Sequence, residues 1–252
     1  EETLRGKQVS VVFASYYLEN PTSAFGHVML SFADGPRAAL DGYSMSFEAS
    51  TTGLSTVGQV RRGLFGGLSA AYHVAPMYER VGRYERQELR NLWLFSLRMS
   101  EGEVGQLARH LWELKDVSYA YGFFGENCAQ KILAVVHAVA PSYGLLPYSP
   151  PAVLPSEVVR RLVTKIGLAS PPLRRPSLLE HYESQVSALS SQERGQLQQT
   201  IAEKAVISDA SAAVFSAALT WAEIKTPSRA FRRESEVSDH PDAVWRRRLW
   251  LS

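Results

Sequence analysis

The chain has 252 residues, 45% of them apolar, with 21% charged side chains and a net charge of +2. That length suits one large domain or two small ones, and the apolar share is enough for a sizeable core. The balanced charge excludes a surface built throughout for nucleic acid, the single cysteine excludes an internal disulfide, and no run of about eighteen uncharged apolar residues is present to cross a bilayer. The start at Glu1-Glu2-Thr3-Leu4, without an initiator methionine, reads as a mature or trimmed start, with any leader or anchor out of view.

The first run, Gln8-Val9-Ser10-Val11-Val12-Phe13, is β-branched and apolar and predicts a strand. Residues 16–24 form a loop containing Asn20-Pro21-Thr22-Ser23. Residues 26–33 alternate, with His27, Met29 and Ser31 on one face and Val28, Leu30 and Phe32 on the other. Asp34-Gly35-Pro36 signals a turn. Residues 42–49 alternate again, Tyr43, Met45 and Phe47 opposite Ser44, Ser46 and Glu48, so the two runs predict a hairpin. Residues 58–68 are glycine-rich, with Arg61-Arg62 inside, and no element is predicted there.

Strands are expected over 69–78 and 92–99. Ser100-Glu101-Gly102-Glu103 is a capping box ahead of Val104, Leu107, Leu111 and Leu114 at helical spacing. A loop of aromatics and glycines, 119–126, precedes Asn127, a good N-cap, and a helix over 128–140 with Ile132, Val135, Val136 and Val139 on one face. Residues 141–155 are proline-rich and irregular. Ser156 is expected to cap a further helix carrying Val159, Leu162, Val163 and Ile166 inward. Pro171 to Pro176 marks a linker or sharp break, and helices are expected over 178–204 and 208–225. Strands dominate the first hundred or so residues and helices the rest, an α+β pattern with a helical extension. The expected division is a domain over 1–170 and an extension over 171–252.

The only cysteine, Cys128, opens the helix after Asn127. A thiol there sits among unpaired backbone N–H groups and the positive end of the helix dipole, which favour the thiolate. The competing reading is a buried, inert cysteine. A cysteine nucleophile needs a base, usually histidine. His27, at a strand start beside a loop, is the first candidate and His73 the second; His110 and His137 fall inside helices, and His181 and His240 in the polar C-terminal part. Metal chemistry has no HExxH, no paired cysteines and no His-x-His, and His181-Tyr182-Glu183 supplies two ligands at most, so no metal and no cofactor is expected. Gly63-Leu64-Phe65-Gly66-Gly67 lacks the lysine a phosphate loop needs, and no Gly-x-Ser-x-Gly elbow occurs.

Six stretches together carry a family resemblance: Phe13-Ala14-Ser15-Tyr16, Asn20-Pro21-Thr22-Ser23-Ala24-Phe25-Gly26-His27, Gly63-Leu64-Phe65-Gly66-Gly67, Leu111-Trp112-Glu113-Leu114-Lys115, Phe123-Phe124-Gly125-Glu126-Asn127-Cys128 and Leu154-Pro155-Ser156. Over roughly residues 8–168 the chain resembles the bacterial family of the Lnb N-terminal periplasmic domain. That family in turn resembles the circularly permuted papain-like enzymes, including the NlpC/P60 and lecithin–retinol acyltransferase groups. The histidine strand precedes the Asn-Cys helix in those groups, as it does here. The resemblance implies a permuted papain-like antiparallel sheet packed against a nucleophile helix. It also implies a periplasmic or cell-envelope location and a cysteine–histidine acyl-transfer site. The implied activity is that of an apolipoprotein N-acyltransferase, taking an acyl chain from a membrane phospholipid and passing it to the N-terminal amine of a lipoprotein.

On that reading Cys128 is the nucleophile and His27 the base. Glu126 stands first among groups that could fix the imidazole, with Ser46 and Glu48 as alternatives from the neighbouring strand. The Cys128 N–H, and the Asn127 side chain if it is not spent as a cap, are the expected oxyanion donors. Ser23 lies in the motif segment on the substrate side. Tyr17, Phe25, Phe65, Tyr121, Phe123 and Phe124 are candidate walls of an acyl route, with ordinary core packing as the competing role. Arg229, Arg232, Arg233 and Trp245-Arg246-Arg247-Arg248-Leu249-Trp250 suit an anionic membrane surface, or else form a solvated tail. Two other functions stay open: a cysteine amidase or peptidase acting on peptidoglycan or its attached proteins, and an envelope binding module that does no chemistry.

Overall fold

The computed structural model describes residues 8–17, 24–35, 40–115, 117–124, 126–146, 153–204 and 209–226. Its strands are β1 (Gln8–Ala14), β2 (His27–Ala33), β3 (Tyr43–Ala49), β4 (Leu68–Pro76), β5 (Leu92–Ser96), β6 (Tyr119–Tyr121) and β7 (Leu173–Arg175). Its α-helices are α1 (Thr56–Phe65), α2 (Met77–Val81), α3 (Glu101–Leu114), α4 (Cys128–Val139), α5 (Pro155–Ile166), α6 (Leu178–Ala188), α7 (Ser191–Glu203) and α8 (Ala212–Lys225). The strands form one antiparallel sheet in the order β6-β4-β3-β2-β1-β5-β7. The fold is α+β, as the run of strands followed by helices predicts.

Alternation along the central strands builds two different faces. Val9 and Val11 of β1, Val28, Leu30 and Phe32 of β2, and Met45 and Phe47 of β3 join one apolar layer with Leu107 and Leu111 of α3, Ile132 and Val136 of α4, and Leu162 of α5. Burying a branched aliphatic side chain is worth about 1.5–3 kcal/mol, so this layer fixes α4 against β2 and β3. The opposite face is more polar. It carries the buried serines Ser10, Ser31, Ser44, Ser46 and Ser96 among Val12, Met29, Leu92 and Leu94. Ser10 and Ser96 hydroxyls meet at 3.0 Å, which meets the need of a buried hydroxyl for a partner.

The chain divides into two compact units, Glu1–Gly82 with Asn91–Arg175, and Arg83–Arg90 with Pro176–Ser252. The first holds the sheet and α1 to α5. The second has its own small core, where Leu189, Leu197, Val214, Ala217, Ala218 and Ala222 pack together.

Several elements depart from what the sequence predicts. The glycine-rich segment 58–68 is largely helical: the Ser55 hydroxyl accepts from Gly58 N–H at 3.2 Å and starts α1. Gly66 (φ 92°) and Gly67 (φ 104°) end it, in a backbone region that favours glycine. The aromatic loop contains edge strand β6, with Tyr121 opposite Leu68. The proline-flanked break holds edge strand β7, with Arg175 opposite Leu92, because a three-residue strand fits between Pro171-Pro172 and Pro176. Leu154 rather than Ser156 occupies the cap of α5, with Pro155 in the first turn, where its missing N–H costs nothing. The helical stretch 178–204 is two helices, because Ser190 and Glu193 form a second capping box.

Gly63 is the one buried residue of α1, and Phe123 N–H donates to its carbonyl at 2.9 Å. A methyl group at position 63 would overlap the Phe123 ring. Gly63→Ala is therefore expected to destabilise the protein by about 1–3 kcal/mol despite alanine's better helix propensity, read as a lower urea midpoint. A midpoint at or above that of the parent would contradict this packing.

Candidate active site

Cys128 is the first residue of α4 and is 3% exposed. Its position is set by Asn127, whose extended backbone (φ −101°, ψ 176°) leads into the helix. The Asn127 Oδ1 accepts from Gln130 N–H at 3.0 Å. Its Nδ2 donates to the Phe123 and Val153 carbonyls, both at 2.9 Å. Both amide hydrogens are thus used to tie the loop before α4 to the segment entering α5. The expectation that this side chain serves as an oxyanion donor gives way to its role as a cap and tie.

His27 is the first residue of β2, 7% exposed, and pairs with Ala14 across β1. The alternation of β2 puts it with Met29 and Ser31, on the polar face of the sheet. Cys128 belongs to the apolar layer on the other face, with Val28 and Leu30. The two residues nevertheless start elements whose approaches touch. The rings of Phe25 and Phe124, two residues before His27 and four before Cys128, lie 6.5 Å apart. Gly26 (φ 87°) separates Phe25 from His27, and a Cβ there would meet the Phe13 ring at 2.8 Å and the Ala14 carbonyl at 3.0 Å. Only glycine lets the chain pass this close to β1 at the end of the sheet.

On the polar face the register Met29↔Ser46 is the last paired position between β2 and β3. Beyond that position the alternation of β3 keeps Glu48 on the same face as Ser46, the face on which β2 carries His27. The Ser46 hydroxyl donates to Glu48 Oε1, which also receives Arg80 Nη1 from α2. Arg80 Nε reaches Ser44 Oγ at 3.3 Å, and that hydroxyl donates to the Ala75 carbonyl at 3.1 Å. Ser46 and Glu48 therefore share His27's face.

Glu126 does not. Its carboxylate pairs with Lys131 Nζ. Lys131 also lies 5.0 Å from the Tyr119 ring centroid and 5.9 Å from that of Phe47. The nearby Glu126 charge contributes, after burial and Tyr119, to holding the Tyr72 phenol above its ordinary pKa. This carboxylate works on the β4–β6 side of α4.

Sequence reasoning treats Tyr121 only as a wall. Burial, and then the charge of Cys128, push its phenol well above the ordinary value, which keeps it neutral near neutral pH. The signal in the sequence is the Tyr-Ala-Tyr alternation of β6, which turns Tyr119 and Tyr121 inward and exposes Ala120. Lys131 and Arg80 were also missed, because a charge's partner is not legible from local pattern.

Phe25 and Phe124 are each nearly half exposed, at 46% and 47%, Phe123 and Tyr17 are half-buried, and Phe65 is exposed. His73 lies exposed on β4. Ser23 and the Arg/Trp segment 229–250 lie outside the described residues. Among the described residues no group of three or more His, Cys, Asp and Glu could hold a metal ion. A cavity of about 410 Å³, bounded by Val9, Leu97, Met99 and Val104, includes none of the site residues.

Asn127→Ala removes a cap and two ties and is expected to cost about 1–3 kcal/mol in denaturant unfolding. Asn127→Ser, which restores the cap acceptor alone, should recover only part of that. Equal stability of all three proteins would show that the ties carry nothing.

Residues 1–165 match the family described as the Lnb N-terminal periplasmic domain. The match spans more than half of the chain, so the chain belongs to this family, and the domain is periplasmic. No curated protein and no solved structure matches it. Among the described residues no helix is long and apolar enough to cross a membrane.

Proposed function

With membership of that periplasmic family as premise, we propose that the protein is a cysteine-nucleophile acyltransferase of permuted papain-like design, carrying an acyl chain from a phospholipid to the N-terminal amine of a lipoprotein. The observation that carries this reading is the lone cysteine at the start of a capped helix, whose approach carries exposed Phe124 in ring contact with Phe25, two residues before the histidine. A helix start favours a thiolate and offers N–H donors to a developing oxyanion. An apolar rim suits a lipid better than a wall peptide, which needs a polar groove.

In the first half-reaction His27 turns over the end of β2 and takes the Cys128 proton. The sulfur adds to an ester carbonyl of the phospholipid. The C–O bond breaks, and the leaving lyso-lipid oxygen takes the proton back from His27. The acyl group is left as a thioester on Cys128. In the second half-reaction the lipoprotein amine adds to that thioester, His27 accepts the amine proton, the C–S bond breaks to give an amide, and His27 returns the proton to the departing sulfur to restore the thiol. The negative charge forms twice on the carbonyl oxygen, where the α4 N–H groups, and Tyr121 as a neutral donor, would bear it. Glu48 is the orienting partner for His27 in this scheme, since it shares the imidazole's face and is itself held by Ser46 and Arg80. Glu126, neutralised by Lys131, is not.

Incubation with phospholipid is expected to add one acyl mass to the intact protein, absent in Cys128→Ala and in His27→Ala. A diacylated lipopeptide should then discharge the adduct as an N-acylated product. Discharge to free fatty acid alone would move the assignment to a hydrolase, and failure to acylate would remove the enzyme reading.

Glu48→Gln should lower the acylation rate at least tenfold with little change in KM, as expected when an imidazole loses its orienting carboxylate. An unchanged rate in a folded variant would place the orienting role on another group.

A further inference from the structure

Helix α1 buries only Gly63, yet its exposed side is not a purely charged one. An amphipathic helix normally buries its apolar stripe and presents charge to water. Here Val57 is 77% exposed, Leu64 44% and Phe65 84%. Positions 57, 61, 64 and 65 recur at helical spacing, so the outward stripe is apolar around Arg61, with exposed Arg62 beside it. Between residues 50 and 68 there is no acidic side chain. The inward anchor is the Gly63–Phe123 contact, which seats the helix against the residue next to exposed Phe124, four residues before Cys128.

We infer that α1 is a membrane-docking helix, and that its occupant is the surface of an anionic lipid bilayer. Apolar side chains that would otherwise hold water enter the headgroup boundary, and the two arginines meet lipid phosphates. A protein partner or a second copy would account for the apolar stripe. The paired arginines without any neighbouring acid favour a surface of continuous negative charge. The inference deepens the acyl-donor reading by setting the rim against the layer that holds the donor, and it rests on that reading only for its purpose. Binding itself needs no catalysis.

The test is co-sedimentation of the full chain with vesicles of phosphatidylcholine alone and with added phosphatidylglycerol, over a range of salt. The expected result is binding that grows with phosphatidylglycerol and weakens with salt. Leu64→Ser with Phe65→Ser should lower it at least tenfold, and Arg61→Gln with Arg62→Gln about fivefold for each charge removed. All four positions are exposed, so unfolding midpoints should stay at the parent value. Cys128→Ala should bind like the parent, which separates loss of docking from loss of chemistry. Variants that bind as tightly as the parent would overturn the inference and assign docking to another segment. Loss of self-association in sedimentation velocity, with no vesicle binding by the parent, would overturn it in favour of a second copy.

Discussion

One amide side chain holds the start of α4 in place, and the candidate site depends on it. Asn127 accepts from the helix and donates to two loop carbonyls, so the aromatic approach, the helix start and the entry to α5 are fixed as one piece. The apolar layer then presses α4 onto β2 and β3. A thiol placed this way has little freedom to relax away from the helix dipole. That is the pre-organisation a nucleophile needs, because reactivity is set by the thiolate's surroundings and not by the thiol alone.

The sheet divides labour between its faces. The face under α4 is dry and apolar and holds Cys128. The other carries serines, Glu48, Arg80 and His27, each buried or half-buried. Buried polar groups are costly unless paired, and here the charges are paired with one another and with hydroxyls. The segments leading into His27 and Cys128 meet at the end of the sheet, where Gly26 lets β2 begin against β1 and where Phe25 meets Phe124. The proposed chemistry belongs to that edge. The buried side of α1 is joined to this approach through Gly63 and Phe123, the residue next to Phe124.

The sheet's central strands were legible from alternation, because a strand buried on both faces still separates serines from aliphatics in β2 and β3. The Ser100–Glu103 capping box and Asn127 were legible because a cap is a local hydrogen bond between near neighbours, whereas the Ser190–Glu193 box was hidden inside a continuous helical stretch. What local pattern hides is tertiary. Helix α1 reads as a glycine loop because Gly63 answers to the Phe123 ring and not to backbone freedom. Edge strands β6 and β7 have three residues each, so any alternation in them is too short to stand out from the flanking loop. For the site, Cys128 and His27 stand out by type and position, whereas Glu126 stands first as the third member because the family resemblance favours an acidic residue beside the cysteine. Its partner Lys131 lies in the first turns of α4, and Glu48, on the strand that follows that of His27, shares the imidazole's face.

The central claim is that imidazole and sulfur act as one unit. The pH profile of Cys128 alkylation by iodoacetamide, in the parent and in His27→Gln, tests it most directly. Coupling predicts fast alkylation well below pH 7 in the parent, and in the variant a profile shifted up toward the ordinary cysteine value of about 8.5. Superimposable profiles from two equally folded proteins would contradict the account.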